Sequence, residues 1–297
     1  MKTTTKVWLG ASALLALVLA LIGYRIKTAE PSYQGKSLSE WVNMTELLGE
    51  GDPRPKLRSP TNEIGNALRA MCPNAIPFLI AWMDPVPTKA HKWLWAFERT
   101  QKLIKLKPGL EPTKRSHYVC IAFEALGQVA EPAIPQLTTL MFDTNASGCY
   151  AEALAGLGPK SKPIMLQALC HTNGIIRERA ASAIARYEEE PVFAMPFLIS
   201  LLQDKDARVR SASVAALWHI KSQPKIIVPA LIGALSDPDR LVYMDAVWVL
   251  GEMGTNAITA LPAMQQLLTQ TYLSEYEKKR LEFEIRRVTR LHPRPRP

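Results

Sequence analysis

A proline that returns every 33 residues constrains this chain more than any other feature. Pro163, Pro196, Pro229 and Pro262 stand 33 apart in succession, Pro135 lies 28 before Pro163, and Pro77 sits in the same local pattern. The surrounding text repeats too, as Ala75-Ile-Pro-Phe-Leu-Ile, Ala133-Ile-Pro-Gln-Leu, Ser161-Lys-Pro-Ile-Met-Leu, Ala194-Met-Pro-Phe-Leu-Ile, Ile227-Val-Pro-Ala-Leu-Ile and Ala260-Leu-Pro-Ala-Met. Proline is tolerated in the first turn of a helix, where its missing N–H has no intrahelical partner, so each one marks the start of a second helix of about ten residues. A first helix precedes each. Stepping by 33 aligns Ile176 with Val209 and Val242, Ala180 with Ser213 and Ala246, and Ile184 with Leu217 and Leu250. Steps of four put these columns on one helix face.

The ends of these helices are readable as well. Leu126-Gly127, Leu157-Gly158 and Leu250-Gly251 place glycine where a helix C-terminus favours it. Asp204-Lys-Asp206 and Asp237-Pro-Asp239 can cap the helix that follows. No stretch alternates with period two, so no sheet is predicted. A helix pair of this size cannot bury its apolar face alone, whereas stacked pairs can. The predicted fold class is all-α, an α-solenoid.

The run Asp206-Ala-Arg-Val209-Arg210-Ser-Ala212, then Leu217, then Val228-Pro-Ala-Leu-Ile232, resembles HEAT repeats of the phycobilisome-lyase type. The resemblance covers about residues 62–271 and is clearest from 172 to 271. The whole chain is also similar to bacterial HEAT-repeat proteins with an N-terminal anchor, in which an apolar start leads into a segment such as Tyr33-Gln-Gly-Lys-Ser-Leu-Ser-Glu-Trp41. This resemblance implies second helices lining a concave side that binds other proteins. The family's Asp–Arg ladder is incomplete here: the arginine column reads Arg177, Arg210, Tyr243, and the aspartate column Asn173, Asp206, Asp239.

The first 29 residues read as an address. Lys2 and Lys6 precede an uncharged run from Val7 to Ile22, and Arg25 and Lys27 follow. Small residues are misplaced for cleavage, so residues 7–24 are expected to stay as a membrane anchor, with Trp8 and Tyr24 at the interfaces. The body is then expected on the periplasmic side of a bacterial inner membrane, or free in the periplasm if the segment is cleaved. Residues 30–61 read as a linker and a capping helix. In it Ser37 is the N-cap with Glu40 three on, and Leu38, Trp41, Val42 and Thr45 share a face. A docking peptide around Trp41 is the functional alternative. The repeats fill 62–290, and 291–297 form a proline- and arginine-rich tail.

The formal charge is +9, and residues 89–115, within an insertion at 84–116, carry most of it: eight Lys or Arg against Glu98 and Glu111 give 8 − 2 = +6. There Trp93, Ala96, Phe97, Thr100, Leu103 and Ile104 share one helical face. Lys89, Lys92, Arg99, Lys102 and Lys105 are candidate contacts for an anionic surface, either lipid headgroups or an acidic partner at 89–115. An anchored body outside the cytoplasm disfavours nucleic acid.

The residues that carry chemistry do not assemble into a motif. None of the five histidines pairs with another at helical spacing, and the four cysteines form no CxxC. Cys120 and Cys149 fall at one level of successive first helices, where a disulfide is open to them in an oxidising compartment but buried thiols are the preferred reading. No catalytic, cofactor or metal residues are assigned, and no activity is expected. The expected function is a membrane-anchored, non-catalytic protein-binding scaffold, with a phycobilisome-lyase-like enzyme or chaperone as the alternative. Helical phase puts Gln136, Thr139, Gln167, Gln203, Gln265 and Gln266 on the exposed side of the second helices as candidate partner contacts.

Overall fold

Four first helices start after a side-chain cap, from Asn62, Asn173, Asp206 and Asp239, followed by apolar and small residues spaced four apart. The computed structural model describes residues 30–45, 62–83, 112–146, 149–187 and 189–289. The anchor at 7–24, the loop at 46–61, Lys89, Lys92, Arg99, Lys102, Lys105 and the tail lie outside them. Among the described residues no helix is long and apolar enough to cross a membrane.

Two short strands, β1 (Ser32–Tyr33) and β2 (Lys36–Ser37), pair antiparallel and lead into α1 (Leu38–Met44). This hairpin corrects the expectation of no sheet. Two-residue strands are too short to show alternation. Their turn is visible only as Gln34-Gly35, both at positive φ (49° and 78°), the conformation a tight hairpin demands. Ser37 and Glu40 form the capping box expected of them. Leu38, Trp41, Val42 and Thr45 are all buried. The Trp41 indole N–H donates to the Tyr33 carbonyl at 3.1 Å. So α1 caps the stack, and Trp41 belongs to the core and not to a docking peptide.

The helix pairs follow as α2 (Glu63–Met71) with α3 (Ile76–Met83), α4 (Pro112–Leu126) with α5 (Ile134–Phe142), and α6 (Tyr150–Gly156) with α7 (Lys162–Leu169). Next come α8 (Gly174–Ile184) with α9 (Met195–Leu201), α10 (Ala207–Leu217) with α11 (Pro224–Ala234), and α12 (Arg240–Met253) with α13 (Leu261–Leu268). The last helix is α14 (Glu275–Thr289). Each first helix packs on the next, from α2 through α4, α6, α8, α10 and α12 to α14. All nine residues of the three predicted columns are buried. The small column, Ala180, Ser213 and Ala246, lets neighbouring helices approach closely, and the Ser213 hydroxyl is satisfied within its helix by the Val209 carbonyl at 2.8 Å. Each large column residue contributes about 1.5–3 kcal/mol by leaving water.

Pro77, Pro135, Pro163, Pro196 and Pro262 are each the second residue of their helix, as the period requires. Pro229 is the exception, because α11 begins five residues earlier at Pro224. Four of the other lead-ins are 3-10 turns, at Gly127–Ala133, Pro159–Ser161, Val192–Ala194 and Gly254–Ala260. In the α11 repeat a second proline starts the lead-in, and it winds as α-helix. Gly251 also departs from expectation. It lies inside α12, and the positive φ falls on Gly254 at 57°. Gly251 makes room instead: a Cβ there would lie 2.8 Å from the Cβ of buried Glu284 on α14. Glu284 accepts from Arg280 and Arg287, each at 2.9 Å, and Arg287 also holds Glu252 on α12 at 2.8 Å.

The joints between repeats use polar side chains. Between α8 and α10 the Arg177 guanidinium grips Asp204 at two points (Nε–Oδ2 2.6 Å, Nη2–Oδ1 2.8 Å), and its Nη1 donates to the carbonyls of His171 and Thr172. Arg210 repeats this on Asp237 (2.7 and 2.8 Å) and donates to the Asp204 carbonyl at 2.8 Å. In the third repeat Tyr243 occupies the arginine column. Its hydroxyl donates to Glu277 at 3.0 Å, and Arg240 reaches the same carboxylate oxygen at 2.6 Å. The Asp–Arg ladder thus stops at the tyrosine, as the sequence indicates, and a Tyr243–Glu277–Arg240 joint stands in its place. The ladder's rungs are not the aspartate column read from sequence: Asn173, Asp206 and Asp239 cap α8, α10 and α12. Each Asp-x-Asp turn divides the work, with one carboxylate for the cap and the other for the arginine fork.

Glu277 gives these joints a pH dependence. The Ser274 hydroxyl, then Arg240 and the Ser274 N–H, hold its carboxyl down at about 2 from an ordinary 4.5. A depressed carboxyl stabilises above its unfolded pKa, and that stability is lost as pH falls through the folded one. The thermal-unfolding gap between wild type and Glu277→Gln is therefore expected to be full at neutral pH and to close as pH falls from 4.5 towards 2. A gap independent of pH would contradict this joint.

Candidate functional site

All six polar residues predicted on the second helices are exposed. Gln136 and Thr139 sit on α5, Gln167 on α7, and Gln265 and Gln266 on α13. Gln203 lies two residues past the end of α9, in the turn. Among the described residues no hydrogen bond joins any two of them.

The first-helix layer is different at its C-terminal end. On α12, Leu241, Met244, Asp245 and Trp248 fall at helical spacing on a face beside the buried Val242–Ala246–Leu250 stripe. On α14, Tyr276 and Arg280 stand one turn apart. Met244, Asp245, Trp248, Tyr276 and Arg280 line an open groove of about 260 Å³ between the two helices. At one end Leu241, Tyr272 and Tyr276 are among the most exposed large apolar side chains described, at 62%, 62% and 68%. The Trp248 ring packs 5.2 Å from that of Trp218 on the residue after α10, and Lys221 lies 5.6 Å over Trp218.

Asp245 is the anionic group of this groove, and Arg280 the cationic one. Ser211 of α10 donates to the Asp245 Oδ2 at 2.5 Å. Burial pushes the carboxyl above its ordinary range, and the Ser211 bond only partly offsets this. Arg280 is held by Glu284 and Arg287 by Glu252 and Glu284, so both cations are engaged. Sequence reading missed the groove because it followed the buried columns. The available signal was a second apolar stripe on α12, Leu241–Met244–Trp248, beside the buried one.

A larger cavity of about 380 Å³ lies where α4 and α6 end, lined by Arg69, Gly127, Gly158, Lys162, Tyr187 and Glu189 among others. Its charges do structural work. Arg69 donates to Asn66 at 2.8 Å and to the carbonyl of Ala125 at 3.4 Å, and Lys162 pairs with Glu189 at 3.3 Å. Nearby, Cys120 of α4 and Cys149, the residue before α6, form a disulfide with Cα atoms 6.4 Å apart. This corrects the preferred reading of two buried thiols: the level shared by successive first helices brings the pair within bonding reach. Among the described residues no group of His, Cys, Asp and Glu could hold a metal.

The family model of HEAT repeats matches residues 195–276, the span that holds α9 to α13 and most of the groove. No curated protein matches the chain. Similar solved structures include an engineered protein, 17% identical over 84% of this chain and 96% of that one at a TM-score of 0.40. A designed armadillo repeat protein in complex with peptide (KR)4 is 16% identical over 84% and 99%, also at 0.40. The complex of CpcE and CpcF of phycocyanin lyase from Nostoc sp. PCC7120 is 18% identical over 87% and 97%, at 0.33. At these scores the likeness adds nothing to the repeat fold read from the helix pairs themselves.

Proposed function

We propose that this helical-repeat protein is a non-catalytic scaffold, anchored by residues 7–24, that docks a protein partner on the first-helix layer of its last repeats. One observation carries the docking site. Leu241, Tyr272 and Tyr276 are exposed on or next to the two helices whose groove Met244 and Trp248 line. Exposed apolar side chains clustered beside a groove suit an interaction site, and aromatic side chains dominate the energetics of such sites. The uncharged run Val7–Ile22 supports the anchor, and the Cys120–Cys149 disulfide supports an oxidising compartment such as the periplasm for the body.

The test is affinity capture of the membrane-bound protein with two double variants. Leu241→Glu with Tyr276→Glu is expected to lose the partner while thermal unfolding stays within about 1 kcal/mol, because both side chains are exposed. Gln203→Glu with Gln266→Glu is expected to retain it. The reverse result, loss only with the glutamine pair, would move docking to the second-helix face and overturn this site.

A further inference from the structure

We infer that the groove between α12 and α14 receives a cationic side chain, arginine or lysine, of the bound partner, with Asp245 as its counter-charge. The inference rests on the docking site proposed above and specifies what enters it.

Asp245 is partly buried and its hydrogen bond comes from a neutral hydroxyl, that of Ser211. A carboxylate withdrawn from water without a cation is costly, and a cation delivered to it recovers that cost. Arg280 lines the same groove, but its charge is offset by buried Glu284, and Arg287 beyond it pairs with Glu252 and Glu284, so Asp245 is the carboxylate left without a cation. The walls suit the same visitor. Trp248 and Tyr276 are aromatic lining residues, and a guanidinium or ammonium over an aromatic face gains about 0.5–2 kcal/mol. This chain uses that chemistry itself, with Lys36 4.5 Å from the Trp41 ring and Lys221 5.6 Å from Trp218. Size points the same way: about 260 Å³ falls below the roughly 300–1,000 Å³ of small-molecule pockets and suits one long side chain. The raised carboxyl of Asp245 is consistent with a site lacking its counter-charge.

The protein's net charge of +9 repels cationic ligands at long range, so cationic binding here reports the local site and not bulk attraction. The probe is a short fluorescent peptide alternating alanine, glycine and arginine, read by anisotropy against the full chain, with a citrulline peptide as its neutral isostere. The arginine peptide is expected to bind and the citrulline peptide to bind at least about tenfold more weakly. Asp245→Asn is expected to weaken the arginine peptide by a similar factor, the loss seen when one member of a desolvated charge pair is removed. Equal binding of the two peptides to the wild-type chain would overturn the inference, without depending on any variant's folding. So would undiminished binding by Asp245→Asn, or no binding of the arginine peptide. The docking site is judged separately: capture lost with Leu241→Glu and Tyr276→Glu but retained with Asp245→Asn keeps the docking site and removes the cation.

Discussion

Replacing Arg177 with methionine is expected to cost about 3–5 kcal/mol, the range for breaking a buried ion pair by removing one partner. The Arg177 and Asp204 side chains retain only 9% and 6% of their exposure, and the fork is two-pointed. Burial pushes the Asp204 carboxyl up, and the Arg177 fork, aided by the Asp206 N–H, outweighs it and holds the carboxyl below its ordinary value. Without the guanidinium that charge is stranded, and the carbonyls of His171 and Thr172 lose their donor. Arg177→Met with Asp204→Leu is expected to recover most of the loss, because replacing both members by apolar groups strands nothing. Arg208→Ala, whose pair with Asp206 is exposed, is expected to stay within about 1 kcal/mol. Urea midpoints of the three variants, with hydrogen exchange across α8 and α10 to localise the change, check this. A loss as small for Arg177→Met as for Arg208→Ala would mean that the joint does not hold these repeats together.

Reducing the Cys120–Cys149 disulfide is expected to cost nearly as much. It closes a loop with a sequence separation of 29, for which the loop-entropy relation gives about 3–4 kcal/mol. Because repeats couple to their neighbours, the loss should concentrate in α4 and α6 while α10 to α14 keep their protection. Cys72 and Cys170 are free, so thiol titration of the unfolded, unreduced protein should find 4 − 2 = 2 thiols. Four titratable thiols, or equal urea midpoints with and without reductant, would contradict the bond.

The repeat was legible because its determinants are local and periodic: a proline near each second-helix start, an Asn or Asp capping α2, α8, α10 and α12, and apolar columns four apart. What escaped depends on which side chain meets which across a joint. Arg177 could reach either aspartate of the Asp204-Lys-Asp206 turn, and only the packed structure assigns Asp206 to the cap and Asp204 to the fork. Gly251 read as a helix end because glycine favours ends, whereas its role is set by Glu284, 33 residues on, in a helix outside the proline period. The groove escaped for the same reason. Leu241, Met244 and Trp248 were visible as letters, but only the docking of α14 turns that stripe into a wall facing Tyr276 and Arg280. The polar residues picked by phase were correctly read as exposed, which is common to most surface positions and selects no site.

Hydrogen exchange of the full chain, alone and with its captured partner, tests the central claim most directly. New protection is predicted over residues 241–248 and 272–280, where the groove and its exposed rim lie. Protection confined to the second helices, at 134–142, 162–169, 195–203 and 261–268, would contradict the account and place the partner on the opposite layer.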